Sequence, residues 1–435
     1  MRKFILVCLV LASSMLALGA QSGSATTLPD TNVLPQNANA YITTATPILD
    51  SQAQSESVQN FLMQLYSPWF EVYPRFNLAT LNSWYDGFEK NPGVGQNLAP
   101  LTASYFQNFQ DITNSSSFGK LLIPAMVIRN SNLRVAPTMA PRYSSSSSTS
   151  FDSLQCTSIY YGTPVVIIGE TEDKSWYFVE SGMQADGWIP ASDIALVSKS
   201  QVSYLSKWKN YMTFSGDNLP IKNQKGVVIS EGKIGMILPL VSQKSGYHVI
   251  AFGKDASTGY LELVKGNVSN QDGHKFPYIM TQGNVAFFMN QLISQPYGWG
   301  GNVGYRDCSL MQKDLMAEFG IFLNRNSGNL LNCGKVIKLS GLSNSEKLNV
   351  ISLEGVPFRT LLIMKGHVML YIGNYHASPV MFHQYWAAHV VTADGKLDYY
   401  EKQSEITYVN IGVQNPDIER STILTAINAM VILGE

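Results

Sequence analysis

The sequence predicts an α+β multidomain protein, in which a helical N-terminal segment is followed by two small all-β barrels and a C-terminal α+β domain. Three observations predict this. The chain has 435 residues, more than one domain usually holds. Near residue 121 the apolar pattern changes from helical spacing to short β-rich runs, and near residue 275 it changes again. After the second change, helical patterns come first and strand patterns follow, which is an α+β layout.

The composition argues against one class of partner. The formal net charge is -1, and the Lys and Arg residues form no cluster along the chain. Binding to nucleic acid needs a basic stripe that neutralises phosphates. We therefore expect no nucleic-acid partner.

The first 25 residues resemble an export signal in their pattern. Arg2 and Lys3 precede an apolar run, and small residues follow it, which is typical of a secretory signal peptide over 1–25, cleaved after Ala20 or Ala25. A membrane anchor is the alternative, but the run is somewhat short of the roughly 20 residues that span a bilayer. We expect export to the periplasm or cell envelope, with no stable membrane span after cleavage.

Residues 26–120 are predicted to form one N-terminal segment. Its first part, up to residue 50, is rich in Ser, Thr, Asn, Gln and Pro and lacks periodicity, so we expect a mobile leader there. The remainder mixes helical patterns with turns. We therefore expect a small, mostly helical segment that packs on its neighbours.

Two sets of short strands follow this segment. Runs such as GTPVVIIGE and SWYFVESG are separated by turn residues, and they predict a first barrel at 121–198. Runs such as KIGMILPLVSQ and GYHVIAFG predict a second barrel at 199–270. No sequence repeat between the two barrels is obvious.

One cysteine of the last predicted domain, 275–435, has an unusual position. Cys308 follows a loop rich in Gly and aromatic residues and begins a helical pattern, with Asp307 near the cap position. Unpaired N–H groups and the helix dipole stabilise an anion at such a place. We therefore expect a lowered thiol pKa and a reactive thiolate. The alternative is a buried, inert cysteine.

A nucleophilic thiol needs a base, and the base needs an orienting group. Alternation in GHVMLYIGN puts His367 on one strand face with Met369 and Tyr371, and VMFHQYW contains His383. A symmetric hairpin between these runs would place the two imidazoles directly opposite each other, with Cβ atoms roughly 5 Å apart. One imidazole could then orient the other, although an accidental cross-strand pair is the alternative.

The remaining cysteines and histidines suggest no further chemistry. Removal of the signal takes Cys8 and leaves three cysteines, an odd number that leaves at least one thiol unpaired. A disulfide between Cys156 and Cys333 is possible. The histidines lack the H-E-x-x-H or C-x-x-C spacing of a metal site. We expect neither a metal nor another cofactor.

Three motifs resemble a known family. PYGWGG…RDCSLM, FGIFLNRNS and GHVMLYIGN…MFH are similar to motifs of the NlpC-type, papain-like cysteine peptidases of the bacterial cell wall, over residues 285–400. The preceding segments resemble a subgroup with an N-terminal stabilising segment and two barrels of the bacterial Src-homology-3 (SH3) type. The resemblance implies a papain-like catalytic domain that acts on peptidoglycan stem peptides or murein fragments. This sequence differs from the family motif at Leu310, where many relatives have Gly. The resemblance is still expected to be valid if the Leu310 side chain points into the core.

The resemblance also implies a role for each motif residue. The implied nucleophile is Cys308, the general base His367, the group that orients the base His383, and the substrate contacts Tyr297, Asp307 and Ser309. The implied reaction is hydrolysis of the γ-D-glutamyl–diamino acid bond through an acyl-enzyme. Asp307 would hold the ammonium group of a free N-terminal L-Ala. The alternatives are a non-catalytic wall-binding scaffold with a decayed peptidase domain, and an acyltransferase that uses the same pair of residues.

Overall fold

A computed structural model describes residues 28–392, 395–399, 402–414 and 418–435. The predicted signal peptide at 1–25 therefore lies outside the described residues. The described chain divides into two compact units. The first contains residues 62–276 and 299–304, and the second contains 28–61, 277–298 and 305–435.

Several helices begin at a residue whose side chain caps the first turn. In chain order they are α1 (Pro29–Val33), α2 (Ser51–Tyr66), α3 (Leu78–Lys90), α4 (Ala103–Ile112), α5 (Lys199–Leu205), α6 (Gln282–Leu292), α7 (Cys308–Ala317), α8 (Asn344–Glu354) and α9 (Thr422–Ala426). The side chains of Asn77 and Thr102 accept hydrogen bonds from the first turns of α3 and α4. Reciprocal capping boxes, in which cap and third helical residue satisfy each other's N–H groups, begin α5 and α8. No helix of the described residues is both long and apolar enough to cross a membrane.

The first unit contains two antiparallel sheets of seven strands each. The strands of the first sheet are β1 (Ile123–Val127), β2 (Ser131–Arg134), β3 (Gln155–Ile159), β4 (Pro164–Glu170), β5 (Trp176–Ser181), β6 (Gly187–Pro190) and β7 (Ile194–Leu196), in the order β3-β2-β6-β5-β4-β1-β7. The strands of the second are β8 (Tyr211–Phe214), β9 (Leu219–Asn223), β10 (Val228–Gly232), β11 (Ile237–Gln243), β12 (Tyr247–Lys254), β13 (Leu261–Val268) and β14 (Gly273–Phe276), in the order β10-β9-β13-β12-β11-β8-β14.

An aromatic core joins the helices of this unit to its first sheet. Phe88 and Phe106, from α3 and α4, share one buried cluster with Phe178 and Trp188 from the strands. The indole N–H of Trp188 donates to the hydroxyl of Tyr85 at 2.9 Å, so the one polar atom of a fully buried tryptophan is satisfied. The short helices are therefore stabilised by packing on the sheet.

The second unit is an α+β domain built on a six-stranded antiparallel sheet. The strands of the unit are β15 (Gly334–Lys338), β16 (Thr360–Met364), β17 (His367–Tyr375), β18 (Ser378–Tyr385), β19 (Ala388–Thr392), β20 (Gly395–Tyr399), β21 (Gln403–Tyr408), β22 (Ile418–Ser421) and β23 (Ala429–Leu433). The large sheet has the order β15-β23-β16-β17-β18-β21, and β20-β19-β22 form a smaller one. Helix α7 contacts β17 and β18. The predicted α+β multidomain architecture, with a helical N-terminal segment and β-rich regions before the C-terminal domain, is confirmed.

Residues 28–50 are ordered, so the predicted mobile leader is wrong for this stretch. The carboxylate of Asp30 accepts hydrogen bonds from the N–H groups of Tyr408 and Gly412, at 3.0 and 2.7 Å. The Gln36 amide accepts from Ile406 N at 2.9 Å and donates to Ile406 O at 2.8 Å. β21 is the last strand of its sheet, and residues 294–297 bond to its outer edge only at residues 402–404. At Ile406 the Gln36 amide bonds to this edge as a neighbouring strand would.

Candidate active site

Helix α7 begins at Cys308, as the sequence predicts. Asp307 is its N-cap residue, and its Oδ1 accepts a hydrogen bond from Leu310 N at 2.9 Å. Leu310 is 1% exposed, so its side chain points into the core, as the resemblance requires. Cys308 itself is buried, and it lies at the end of the helix where N–H groups are unpaired.

The sulfur of Cys308 lies at the start of strand β17. The backbone N–H of Val368 is directed at this sulfur and lowers the pKa of the thiol. Val368 directly follows His367, the first residue of β17. The predicted nucleophile therefore lies against the residue that directly follows the predicted base in the sequence.

The two histidines are hydrogen-bonded to each other. His367 Nε2 lies 3.0 Å from His383 Nδ1, and the ring centroids are 5.3 Å apart. His383 is completely buried. Because its Nε2 bonds to His383, Nδ1 is the His367 ring nitrogen that does not take part in this bond.

The register of this hairpin differs from the prediction. Tyr375 pairs with Ser378 and Leu370 with Phe382, so His383 lies across from residue 369 and the two imidazoles meet diagonally. The reason is a tight two-residue turn, with φ angles of 48° and 63° at His376 and Ala377, followed by an irregularity between Tyr371 and Gly373. Diagonal neighbours on one face are still within reach of long or aromatic side chains.

Burial is the main influence on the protonation of the Cys308 thiol. It raises the pKa of Cys308 to about 12, with the nearby Asp307 carboxylate acting in the same direction. The N–H groups of Val368 and Ser309 and the Arg325 guanidinium lower that pKa by less. The predicted lowering of the thiol pKa is therefore wrong, because loss of water outweighs the effect of the helix start.

Both histidines are also shifted by burial. The pKa of His367 is lowered to about 4, although Asp307 acts to raise it. The pKa of His383 lies well below its usual value because of burial and its neighbour His367. These shifts favour a neutral thiol beside a neutral imidazole, which is an arrangement for general base catalysis in which the proton leaves as sulfur attacks.

Arg325 connects the residues that flank the nucleophile. Its Nη2 forms a 2.5 Å ion pair with Asp307 Oδ2, and its Nη1 donates to Ser309 Oγ at 2.7 Å. Ser309 Oγ donates in turn to Asp307 Oδ1 at 3.2 Å. The arginine is 5% exposed. Sequence reasoning missed this role, although Arg325 stands within the motif FGIFLNRNS.

Tyr297 lies close to the same group. Its pKa is raised well above the usual value, chiefly by burial and further by Cys308 and Asp307. Its N–H donates to Lys402 O at 2.6 Å, and its ring packs edge-on against Trp386 with centroids 5.9 Å apart. The structure thus gathers all three predicted contact residues around the nucleophile.

A second buried ion pair stabilises the start of α7. Arg306 Nε lies 2.7 Å from Asp314 Oδ2, and the two residues are 1% and 0% exposed. Nothing in the local sequence pattern indicated this pair. Cys333 is a free thiol, so the disulfide with Cys156 that the cysteine count allowed is not formed.

Comparisons with known proteins identify domains along the chain. Residues 294–406 match the NlpC/P60 family, residues 4–118 its N-terminal stabilising domain, and residues 141–190 an SH3 domain of the SH3b1 type. No curated protein sequence matches the chain significantly.

Two solved structures are similar to this chain to different degrees. An NlpC/P60 endopeptidase from Photobacterium damselae subsp. piscicida is 24% identical, with a TM-score of 0.81 over 95% of this chain and 99% of its own. An NlpC/P60 family protein from Bacillus cereus ATCC 10987 is 16% identical over 68% of this chain and 98% of its own, with a TM-score of 0.45. The resemblance seen in the sequence is confirmed: the chain carries an NlpC/P60 domain, preceded by the N-terminal stabilising domain of that family and an SH3 domain.

Proposed function

We propose that the chain is an exported cysteine endopeptidase that hydrolyses the γ-D-glutamyl–diamino acid bond of peptidoglycan stem peptides or murein fragments. The NlpC/P60 domain supports a peptidase, and the SH3 domain that precedes it in the sequence supports a cell-wall substrate. The observation that carries the proposal is the hydrogen-bonded pair His367–His383 next to the sulfur of Cys308.

In the proposed reaction, the Cys308 sulfur attacks the γ-carbonyl carbon while His367 Nδ1 takes the thiol proton. The Cys308 backbone N–H, at the free end of α7, donates to the developing oxyanion. The C–N bond then breaks, and His367 returns the proton to the leaving amine. A water molecule attacks the thioester with His367 as its base, which releases the acid product and restores the thiol.

Tyr297, Asp307 and Ser309 are proposed as substrate contacts. Asp307 is proposed to bind the ammonium group of a free N-terminal L-Ala. Its Oδ2 also forms the ion pair with Arg325. An ionised carboxylate has about four acceptor positions, so it can serve both cations.

The Asp307→Asn variant tests this contact, because Asn caps helices as well as Asp does. Rates on stem peptides with free and with acetylated N-termini would be compared. We expect the variant to lose most of the preference for the free peptide. An unchanged ratio of the two rates would remove Asp307 from this role.

Incubation of purified muropeptides with the full chain tests the reaction, with mass spectrometry of the products and Cys308→Ala as the control. We expect cleavage products with a new γ-D-glutamyl carboxyl group, and a rate lowered by about 10⁴-fold or more in the control. Retention of muropeptides without turnover would favour the wall-binding scaffold. Transfer of the acyl group to another acceptor would favour the acyltransferase.

Export is proposed from the signal pattern at 1–25. N-terminal sequencing of the protein from the envelope fraction of expressing cells would measure the cleavage site. We expect a new N-terminus after Ala20 or Ala25. A protein that stays in the cytosol with Met1 intact would contradict export.

A further inference from the structure

The hydrogen-bond chain of the site does not end at His383. On the far side of the His383 ring, Nε2 lies 3.1 Å from the hydroxyl oxygen of Thr407. Thr407 and His383 are both completely buried. The chain of contacts therefore runs from His367 through both nitrogens of His383 to a threonine in the neighbouring strand β21.

The donors and acceptors in this series of hydrogen bonds can be arranged in either of two ways. If His383 is protonated at Nε2, it donates to Thr407 and accepts at Nδ1 from His367 Nε2–H, which leaves a lone pair on His367 Nδ1 that can accept a proton. If His383 is protonated at Nδ1, His367 must accept at Nε2 and carry its own proton at Nδ1. Only the first arrangement lets His367 act as a base toward Cys308.

The surroundings hold the His383 ring in one orientation. Tyr385 stacks on it, with centroids 4.3 Å apart and planes at 9°, and the Tyr385 hydroxyl donates to Glu405 Oε2 at 2.9 Å. Thr407 is held from the other side, because its neighbours Ile406 and Tyr408 are bonded by the N-terminal side chains Gln36 and Asp30. These contacts keep the His383 ring and the Thr407 hydroxyl in the positions that their hydrogen bond requires.

We propose that Thr407 is a positioning residue that accepts a hydrogen bond from His383 Nε2–H and so fixes the tautomer of both histidines. The inference rests on the proposed function of His367 as the base. An isosteric Val at this position would leave a buried N–H without an acceptor, which is unfavourable. His383 would then be protonated at Nδ1, and His367 would present a proton to the sulfur.

Nitrogen NMR of the full chain labelled with ¹⁵N-histidine tests the tautomer directly, because protonated and unprotonated ring nitrogens differ widely in chemical shift. A spectrum of His383→Gln assigns the His383 signals. In the wild-type protein we expect His383 to be protonated at Nε2 and not at Nδ1. Protonation of His383 at Nδ1 would overturn the proposal. The spectrum of the wild-type protein gives this result without a substrate.

Three variants separate positioning from packing. We expect Thr407→Val to shift the His383 proton to Nδ1 and to lower kcat/KM by about 10- to 100-fold, mainly through kcat. Thr407→Ser keeps the acceptor and should restore both the spectrum and most of the rate. Thr213→Val is the matched control, because it removes another buried hydroxyl, which donates to Met236 O, and it should leave the His383 signals unchanged.

The outcomes distinguish this proposal from the proposed function. Wild-type tautomers in Thr407→Val, or equal rates for the Val and Ser variants, would overturn the role of Thr407 even if the chain cleaves stem peptides. A chain that cleaves none of them, but shows the expected tautomers and their shift in Thr407→Val, would overturn the substrate and leave the role of Thr407 standing.

Discussion

The thiol of Cys308 experiences two opposing effects. The helix start and the neighbouring N–H groups favour a thiolate, whereas removal from water favours the neutral thiol, and burial is the larger effect. Burial also favours the neutral form of His367. The free protein is therefore expected to hold an uncharged pair, and the charges appear only when a substrate is attacked.

The pH dependence follows from these directions. Activity needs neutral His367, so kcat/KM should be lost as the pH falls through about 4, where His367 is protonated. Alkylation of Cys308 by iodoacetamide should be slow at pH 7 and increase as the pH rises toward 12, because the thiol pKa is raised.

The pH dependence of alkylation tests the protonation state of Cys308 separately from the pH dependence of kcat/KM. A rate of alkylation at pH 7 equal to that at pH 10 would mean that a thiolate is already formed, which contradicts the uncharged pair. Cys308→Ala is the control for alkylation, since the remaining cysteines account for any residual labelling.

Arg325 is expected to act on the nucleophile through Asp307. In Arg325→Ala the Asp307 carboxylate would remain buried without its ion-pair partner, which typically costs about 3–5 kcal/mol when one member of a buried pair is removed. The unbalanced negative charge would also raise the thiol pKa further, so we expect slower alkylation of Cys308 at pH 8.

A double substitution controls for the loss of charge. In Arg325→Met with Asp307→Asn both charges are absent, and Asn still caps α7. We expect the free energy of unfolding to recover most of the loss seen in Arg325→Ala. If urea denaturation shows that Arg325→Ala is as stable as the wild type, the ion pair does not stabilise the site.

At the scale of elements, the edge strand β21 links the N-terminal segment to the site. Its residue Thr407 contacts His383, while Gln36 and Asp30 bond to the residues beside it. Within the second unit, the segment at 28–50 thus bonds to the part of this edge that lies beyond residue 404. We infer that these bonds to β21 contribute to the stability of the unit.

Gln36→Ala tests that inference. The change removes a hydrogen-bond donor and an acceptor for Ile406, and we expect the free energy of unfolding to fall by about 1–3 kcal/mol. Hydrogen exchange should also become faster at the amide of Ile406, whose N–H bonds to the Gln36 side chain.

Gln52→Ala is the matched control, because Gln52 is exposed and its amide bonds only to Glu56. We expect this change to alter stability by less than about 0.5 kcal/mol. Equal losses in the two variants would mean that the contact of Gln36 with β21 has no special role.

At the scale of the whole molecule, the sequence predicted those features that depend on local patterns. The cap at Asp307, the helix after Cys308 and the two strands with His367 and His383 all follow from spacing within a few residues. The order of helical, all-β and α+β parts follows from changes in apolar periodicity.

Features that join distant residues could not be predicted in this way. Gln36 and Ile406 are 370 residues apart in the sequence, and no pattern indicates their contact. The tight turn at His376 and Ala377 lacks the Gly or Asn residues that usually mark positive φ, so the register was predicted two residues away from the observed one. The direction of the thiol pKa depends on burial, which the helix pattern does not reveal.

Pre-steady-state release of 4-nitroaniline from L-Ala-γ-D-Glu 4-nitroanilide by the full chain measures whether Cys308 forms an acyl-enzyme. The good leaving group makes acylation fast, so we predict a burst of about one nitroaniline per chain and a thioester on the Cys308 peptide. Release without a burst, at the same rate in Cys308→Ala as in the wild type, would contradict the account.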